Sequence, residues 1–222
     1  MRLPRRALFV GAHCDDVELM AGGLLHRLCA TPDAEVGVLV FSDHRGVLDD
    51  ARAAQARDEF RDNLAWLRET TGRAVRDHSG PMLPACRGAF EARRGEVYAA
   101  LEALRGGYDL VVTHAEADTN QDHRQVAAEC LRVFKSHATL LGGEFPNNDV
   151  GGFGARVLVA LTEADVAAKA RMVSRYRSQD LNGRPYLDPA VWRALAVVRG
   201  AQVRCPYAEG FDLLGRVVVA AP

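Results

Sequence analysis

Short apolar, β-branched segments alternate with longer stretches of helical periodicity along most of this chain. Residues 7–12, 35–41 and 108–113 are apolar runs of the kind that form strands buried on both faces of a parallel sheet. Residues 50–69 instead place their apolar side chains three or four positions apart, which predicts a helix with one buried face. The alternation of the two patterns predicts helices that connect the strands of a mostly parallel sheet.

The rest of the chain extends this α/β order. We predict further strands at residues 74–77, 139–145, 157–161 and 216–220. We predict further helices at residues 22–29, 94–104, 122–135 and 188–203, and one that follows an N-cap at Thr162 and ends near 177. No repeat or linker interrupts the pattern, so residues 1–222 are predicted to form a single doubly wound α/β domain.

Composition and charge narrow the class of protein. A hydrophobic content of 48% and a charged content of 26% are ordinary for a globular protein, and 222 residues are enough for a large core. The formal net charge of -1 gives no reason to expect nucleic acid or a membrane surface as a partner. No apolar run reaches the length of about 18 residues that a membrane-spanning helix needs.

The N-terminus and the cysteines favour a cytoplasmic protein. The N-terminal segment is basic and then apolar, but it continues into a polar cluster rather than a cleavage site, so we interpret it as the first strand. The five cysteines are scattered and form no CxxC, which argues against disulfides and against a thiolate zinc site. The sequence leaves open whether the chain forms a homo-oligomer.

The most informative cluster is AHCDDVE, residues 12–18, directly after the first predicted strand. Ligands of open α/β sheets bind just outside the carboxyl ends of the strands. Imidazole and carboxylate with little thiol form the ligand set of a catalytic divalent metal. At a strand-to-loop turn His13 and Asp16 can converge on one ion, which leaves Asp15 close to the ion without binding it.

A catalytic site of this kind needs a third protein ligand from another strand end. His123 is the best-placed candidate, at the start of the helix after strand 108–113, and Asp122 beside it is expected to orient it. Taken singly, an Asp pair is more often a solvated turn and a lone His a helix cap. Because both clusters follow strands at one edge of the sheet, a metal site is favoured; His44 is a weaker candidate at the same edge.

Together, AHCDDVE, the following Gly22-Gly23 and the later NQDHR resemble the LmbE-like (PIG-L) family of zinc-dependent N-acetyl sugar deacetylases. Members carry AHPDDxE after the first strand of a Rossmann-like fold and a DH pair after a central strand. The resemblance therefore implies an α/β, Rossmann-like fold whose mostly parallel sheet has helices on both faces. Weaker matches support it: FSD at 41–43, RDE at 57–59, Lys169, YRSQ at 176–179, RG at 199–200 and AEGF at 208–211.

The resemblance implies a role for each residue of the cluster. His13, Asp16 and His123 bind the metal, which is zinc, with another divalent ion such as Fe2+ as the alternative. Asp15 is the general base that activates water at the metal. The implied reaction is hydrolysis of an N-acetyl group on an amino sugar to free amine and acetate, so the expected partner is a small N-acetylated sugar.

Two positions depart from the family pattern. Cys14 replaces a proline, and we interpret it as a packing residue. Asn120 stands where many members have a second histidine that stabilises the oxyanion, and its amide can donate a hydrogen bond but cannot deliver a proton. The acid and oxyanion roles are left open among Asn120, His114 and an arginine such as Arg45.

Substrate contacts are predicted only from position. Arg45 and Arg52 flank the loop after the second strand, where a guanidinium can bind a phosphate or sugar hydroxyls. Glu144 follows a later strand and is a candidate acceptor for a hydroxyl. A glycosylated metabolite, a nucleotide sugar or a thiol glycoside would fit this arrangement.

Two other functions stay open. A metal-dependent phosphoesterase would use the same ligands with extra carboxylates for a second ion, for which Glu18 and Asp118 are the candidates. A non-catalytic nucleotide-binding module is disfavoured because no GxGxxG follows the first strand. Three histidines outside these clusters are predicted to be structural or exposed, namely His26, His78 and His137.

Overall fold

A computed structural model describes residues 4–84, 89–180 and 183–217. Within them, one sheet has the strand order β3-β2-β1-β4-β5-β7-β6. Strands β1 to β5 pair in parallel, and β7 runs antiparallel to both β5 and β6, which confirms the mostly parallel α/β sheet. The strands are β1 (Arg6–His13), β2 (Glu35–Ser42), β3 (Val75–Asp77), β4 (Leu110–His114), β5 (Thr139–Gly143), β6 (Val157–Leu161) and β7 (Tyr207–Leu214).

Helices cover both faces of the sheet because successive side chains of a strand point to opposite sides. Phe9 of β1 belongs to one hydrophobic core, and its neighbour Leu8 belongs to the other. In the described part of the chain the helices are α1 (Asp16–Cys29), α2 (Asp50–Thr71), α3 (Ala89–Ala92), α4 (Arg94–Glu102), α5 (Gln121–Phe134), α6 (Glu163–Ser174) and α7 (Pro189–Gln202). Of these, α1, α2, α6 and α7 pack on the Phe9 face, and α3, α4 and α5 pack on the Leu8 face.

Helix α1 begins at Asp16, earlier than the predicted start at Gly22, and is kinked at Ala21, where φ is −147°. The kink leaves backbone N–H groups of the second half without helical partners. Glu209 of β7 accepts two of them, from Gly23 at 2.9 Å and from Leu24 at 2.7 Å. The Gly-Gly pair therefore marks the start of a second helical segment, capped by a carboxylate from the far end of the chain.

The predicted final strand at 216–220 is wrong in its described part. Residues 216–217 lie outside any strand, and 218–220 lie outside the described residues. The last described strand is β7, which was not predicted. Its Glu209 and Asp212 interrupt the kind of apolar run from which the other strands were predicted. Glu209 forms an ion pair with Lys169, and Asp212 forms one with Arg156. Both partners lie outside β7, so the sequence of the strand alone does not indicate these contacts.

The order of strands fixes where a ligand can bind. From β1 the chain moves to β2 and β3 on one side, while β4 and β5 lie on the other, so the direction of winding reverses between β1 and β4. A crevice forms outside the carboxyl ends of the strands at such a switch point. His13 ends β1 and His114 ends β4, which brings both polar clusters to this crevice. None of the described helices is long and apolar enough to cross a membrane.

Candidate metal centre

The first part of the site is the tight passage from β1 into α1. His13 is the last residue of β1, Asp15 is the N-cap of α1 and Asp16 is the first helical residue. The backbone N–H of His13 donates to Oδ2 of Asp16 at 2.6 Å. A Cβ on Gly11 would lie 3.0 Å from Cβ of Asp16, so the turn needs a glycine there to close this tightly. The result is two buried carboxylates and an imidazole at one sheet edge.

The second part comes from the loop that joins β4 to α5. His123, in the first turn of α5, places Nε2 3.3 Å from Oδ1 of Asp16. One ligand atom each from His13, Asp16 and His123 lie within 4.8 Å of one another, and all three residues are buried. The structure thus brings the three predicted ligands together. Two imidazoles and one carboxylate at this spacing fit a divalent ion that keeps an open position.

Each imidazole has its own carboxylate partner. Asp118 Oδ2 lies 2.7 Å from Nδ1 of His123, whereas Asp122 Oδ2 lies 3.2 Å from Nε2 of His13. Asp122 was predicted to orient His123, and this prediction is wrong, because Asp122 contacts His13 instead. Adjacent residues on a helix point about 100° apart, so Asp122 faces His13 instead, and Asp118 reaches His123 from the preceding loop.

The electrostatics of this cluster favour positive charge between its carboxylates. Burial opposes protonation of His13, but Asp16 and Asp122 outweigh it and raise the pKa of His13 to about 10. In the same way Asp16 and Asp118 overcome burial and raise the pKa of His123 to about 9. Burial and the neighbouring His123 lower the pKa of His114. The position between Asp16 and its neighbours is thus one that a cation would occupy favourably.

The side chain of Asp15 contacts a residue from a third strand end. Its Oδ1 lies 3.0 Å from Nε2 of His44, in the turn after β2. The ring of His44 stacks on that of His13, with centroids 4.5 Å apart and planes 13° apart. His44 was a weaker candidate in the sequence because only its position in the loop after β2 indicated a role. Its contact with Asp15 joins side chains that are distant in the sequence, and no local motif signals it.

The part of the chain that holds this site matches a known family. Residues 8–134, more than half of the chain, match the PIG-L family model, which is described as GlcNAc-PI de-N-acetylase. The chain belongs to the PIG-L family. The recognition made from AHCDDVE and NQDHR is confirmed. A search of curated proteins gave no significant match.

Solved structures share the fold along nearly the whole chain. N,N′-diacetylchitobiose deacetylase from Pyrococcus horikoshii is 17% identical, with 95% of this chain and 84% of that chain covered and a TM-score of 0.70. The zinc-inhibited form of teicoplanin deacetylase is 18% identical, with 93% and 96% covered and a TM-score of 0.71. The 4-carboxy-2-hydroxymuconate hydratase of Pseudomonas putida is 17% identical, with 98% and 99% covered and a TM-score of 0.63. Because a hydratase shares the fold, the fold alone does not decide the reaction.

His114 and Asn120 are both engaged within this PIG-L site. His114 is fully buried, and its ring stacks on that of His123 with centroids 3.9 Å apart. Its Nε2 lies 3.0 Å from the backbone N of Ala12 and 3.2 Å from Oδ2 of Asp16. Its Nδ1 has no hydrogen-bond partner among the described residues. Asn120 is the N-cap of α5, where its Oδ1 accepts from the backbone N–H groups of Asp122 and His123. The catalytic roles of His114 and Asn120 stay predictions.

The predicted substrate contacts differ in their availability. Arg45 is half exposed and lies 3.3 Å from Oδ2 of the buried Asp43, which leaves part of its guanidinium open to a ligand. Glu144 instead holds Arg199 in a two-bond ion pair, at 2.9 and 2.5 Å. Its carboxylate is ion-paired with that arginine. Both substrate roles stay predictions.

The two carboxylates considered for a second ion have separate settings. Glu18 lies in the core, with Oε1 2.7 Å from the Tyr176 hydroxyl and 3.0 Å from Nδ2 of Asn63. Burial raises the pKa of Glu18 to about 8. Asp118 forms a second group of close ligand atoms with His114 and His123. This second group shares His123 with the first, and its Asp118 is already hydrogen-bonded to that ring.

The residues that carry the weaker family matches contact one another around the site. Arg57 of α2 forms an ion pair with the buried Asp43 after β2. Ser178 Oγ donates to Oε2 of Glu59 at 2.6 Å, and Lys169 Nζ lies 2.8 Å from Oε1 of Glu209. These ion pairs and this hydrogen bond hold together the loops and helices that lie behind the proposed ligands.

Cys14, the other departure from the family motif, is fully buried in the hydrophobic core, as predicted for a packing residue. Its carbonyl oxygen accepts a hydrogen bond of 2.5 Å from the Tyr176 hydroxyl. This bond fixes the backbone between His13 and Asp15 from the side of the late YRSQ segment.

Proposed function

We propose that this chain is a metal-dependent N-deacetylase that hydrolyses the N-acetyl group of a small molecule containing an amino sugar. The observation that carries the proposal is the buried convergence of His13, Asp16 and His123, with Asp15 beside them and bonded elsewhere. Membership of the PIG-L family favours amide hydrolysis over the other reactions that such a site can catalyse. Zinc is the proposed ion, with Fe2+ as the alternative.

The chain supplies both the ligands and a base. An ion held by His13, Asp16 and His123 would polarise the amide carbonyl and make a nearby water more acidic. Asp15 Oδ1 is hydrogen-bonded to His44, and Oδ2 makes no hydrogen bond among the described residues, so Oδ2 is the oxygen free to take a proton from water. The water oxygen bonds to the acetyl carbon, and the C–N bond then breaks. Asp15 returns its proton to the leaving nitrogen, which yields free amine and acetate.

Among the three candidates for the oxyanion donor, the geometry favours Asn120. Its Oδ1 caps α5, which fixes the amide next to His123, and Nδ2 makes no hydrogen bond among the described residues, so its hydrogens are available to a ligand. His114 is fully buried beneath the ligands, and its Nε2 already contacts the backbone N of Ala12 and Oδ2 of Asp16. Arg45 lies farther out, on Asp43, where sugar hydroxyls or a phosphate would be the better match.

The substrate class rests on the site and on related folds. The structural relatives named above include deacetylases of an acetylated chitobiose and of teicoplanin, and we propose an amino sugar carrying an N-acetyl group for this chain. The nature of the group joined to the sugar stays open. A cytoplasmic location is still a prediction, and so is the absence of nucleic acid and membrane partners.

The test combines metal analysis with amine release. The purified protein is stripped with a chelator, reloaded with zinc or Fe2+, and given N-acetylglucosamine, N,N′-diacetylchitobiose or p-nitrophenyl phosphate. We expect primary amine and acetate from an acetylated sugar, lost on stripping and restored on reloading. Asp15→Asn should reduce kcat by about 10²–10⁴-fold with the metal retained, while the exposed Glu116→Gln should change neither.

Three outcomes would contradict the proposal. Full activity of Asp15→Asn would remove the base from the mechanism. A protein that takes up no divalent ion after reloading would remove the metal centre. Phosphate release from p-nitrophenyl phosphate without amine release from any acetylated sugar would favour the phosphoesterase instead.

A further inference from the structure

We propose that His44 is a positioning residue that holds the carboxylate of Asp15 in the orientation needed for proton transfer. The proposal rests on the proposed deacetylase function and adds a residue to it. His44 does not have to touch the substrate or the metal ion for this role. It acts by occupying one carboxylate oxygen, so that the other faces the reacting water.

The first support is the contact itself. Nε2 of His44 lies 3.0 Å from Oδ1 of Asp15, a normal hydrogen-bond distance, and both side chains are largely buried. Asp15 is the N-cap of α1, yet its side chain makes no capping hydrogen bond to the helix. A capping carboxylate would turn back onto backbone N–H groups. In this chain the N-cap side chain is turned to the ring of His44 instead.

The second support is the backbone of His44. Its φ is +63°, in the left-handed region that favours glycine and costs other residues conformational energy. A residue with a side chain persists at such a position only where the surrounding structure holds it there, and such positions concentrate at functional sites. Glycine would adopt this φ with less conformational strain than histidine. Asp33 and Arg204 also have a positive φ, so the φ of His44 supports the proposal together with the contact to Asp15.

The third support is the way in which the turn is built. The backbone N–H of His44 donates to Ser42 Oγ at 3.1 Å, and its carbonyl accepts from Val47 and Leu48. Asp43, next to it, is fully buried and is held by Arg57 of α2. These contacts set the turn rigidly, and the stacking on His13 fixes the plane of the ring. The donor therefore reaches Asp15 already oriented.

Three substitutions separate the hydrogen bond from the backbone. His44→Gly removes the ring and accepts the same φ, so a loss of activity cannot come from a distorted turn. His44→Gln keeps an N–H donor near the position of Nε2. His44→Asn also tolerates a positive φ, but its shorter side chain ends near Nδ1 and does not reach Asp15.

On the acetylated sugar that the wild type hydrolyses, we expect His44→Gly to reduce kcat by about 10–100-fold, with KM and zinc content little changed. His44→Gln should recover most of the loss, and His44→Asn should not. Wild-type kcat in His44→Gly would overturn the proposal. Equal recovery by Asn and Gln would also overturn it, because the reach to Asp15 would then be irrelevant.

A second measurement does not depend on activity. In protein labelled with ¹⁵N-histidine, the Nε2–H of His44 should give a proton resonance protected from solvent exchange, assigned by its absence in His44→Gln. The resonance should disappear or move upfield in Asp15→Ala. If it is missing in the wild type or unchanged in Asp15→Ala, the proposed contact does not exist. If it behaves as expected but no acetylated sugar is hydrolysed, the proposed function fails while the contact stands.

Discussion

Asp118 and His123 are joined by a contact of 2.7 Å between Oδ2 and Nδ1, and both side chains are almost completely buried. A carboxylate at Nδ1 keeps the proton on that nitrogen and leaves the lone pair on Nε2. Nε2 lies 3.3 Å from Oδ1 of Asp16, on the side where the proposed ion would sit. Asp118, a loop residue outside the proposed ligand set, therefore determines which ring nitrogen of His123 is available to bind the ion.

We predict that Asp118→Ala lowers zinc affinity by about 10–100-fold, because His123 loses the partner that fixes its tautomer and orientation. Asp118→Asn should lie between wild type and Ala, since an amide oxygen can still accept from Nδ1. Competition with a chromogenic chelator measures the affinity. Glu116→Ala, an exposed carboxylate of the same loop, is the matched control and should bind zinc like the wild type. Unchanged affinity in Asp118→Ala would remove Asp118 from the centre.

Two glycine substitutions should move stability in opposite directions. A Cβ at Gly23 would lie 2.5 Å from Cδ1 of Leu161 and 3.1 Å from the Glu209 carboxylate, so Gly23→Ala should destabilise the fold by about 1–3 kcal/mol. Gly95 lies in α4 with nothing within 4 Å of such a Cβ, so Gly95→Ala should stabilise by about 0.5 kcal/mol. Urea unfolding measures both. A destabilised Gly95→Ala, or a neutral Gly23→Ala, would contradict the packing described.

The buried ion pair between Lys169 and Glu209 should be costly to break from one side. Both side chains are below 8% exposed, and Lys169 also lies over the ring of Trp192 at 4.3 Å. Glu209→Gln leaves an unpaired buried ammonium, so we expect about 3–5 kcal/mol less free energy of unfolding. Adding Lys169→Met should restore part of that loss. The exposed Glu163→Gln, whose partner is Arg193, is the control and should leave the urea midpoint almost unchanged.

His78 should make stability depend on pH. Burial lowers the pKa of His78 in the folded state, and its Nε2 lies 2.6 Å from the Tyr108 hydroxyl. The unfolded chain then binds more protons than the folded chain below the unfolded pKa of about 6.5, so stability falls as the pH falls through this value. Between pH 7.5 and 5.5 the wild type should lose more Tm than His78→Gln. Equal losses would show that His78 does not titrate differently on folding.

The sheet and the ligands could be predicted because their signals are local. β1 and β2 are continuous apolar runs, and the structure extends the predicted spans only to Arg6–His13 and Glu35–Ser42. The proposed ligands follow strand ends, and parallel strands bring such ends to one edge whatever lies between them. β7 escaped prediction because its carboxylates are stabilised by Lys169 and Arg156, which are distant in the sequence.

What sequence could not provide is the choice of partner for each charged side chain. Asp118 and Asp122 are equally plausible partners of His123 in the sequence, and only the direction in which α5 leaves the loop separates them. Glu144 follows a strand as a ligand-binding residue would, yet Arg199 of α7 takes its carboxylate. Such pairings depend on how distant elements pack, which neither composition nor periodicity encodes.

The cap that Glu209 provides at the kink of α1 has a consequence for dividing the chain. Residues 8–134, which match the family, contain every proposed ligand and the proposed base. The carboxylate that completes the second half of α1, and the Tyr176 hydroxyl on the Cys14 carbonyl, both come from beyond them. A fragment ending at residue 134 would keep every proposed ligand and the proposed base. It would lose the contacts that support α1, the helix that begins at Asp16. The part of the chain after residue 134 is therefore not an appendage, and grafting the motif onto another protein would require these later residues as well.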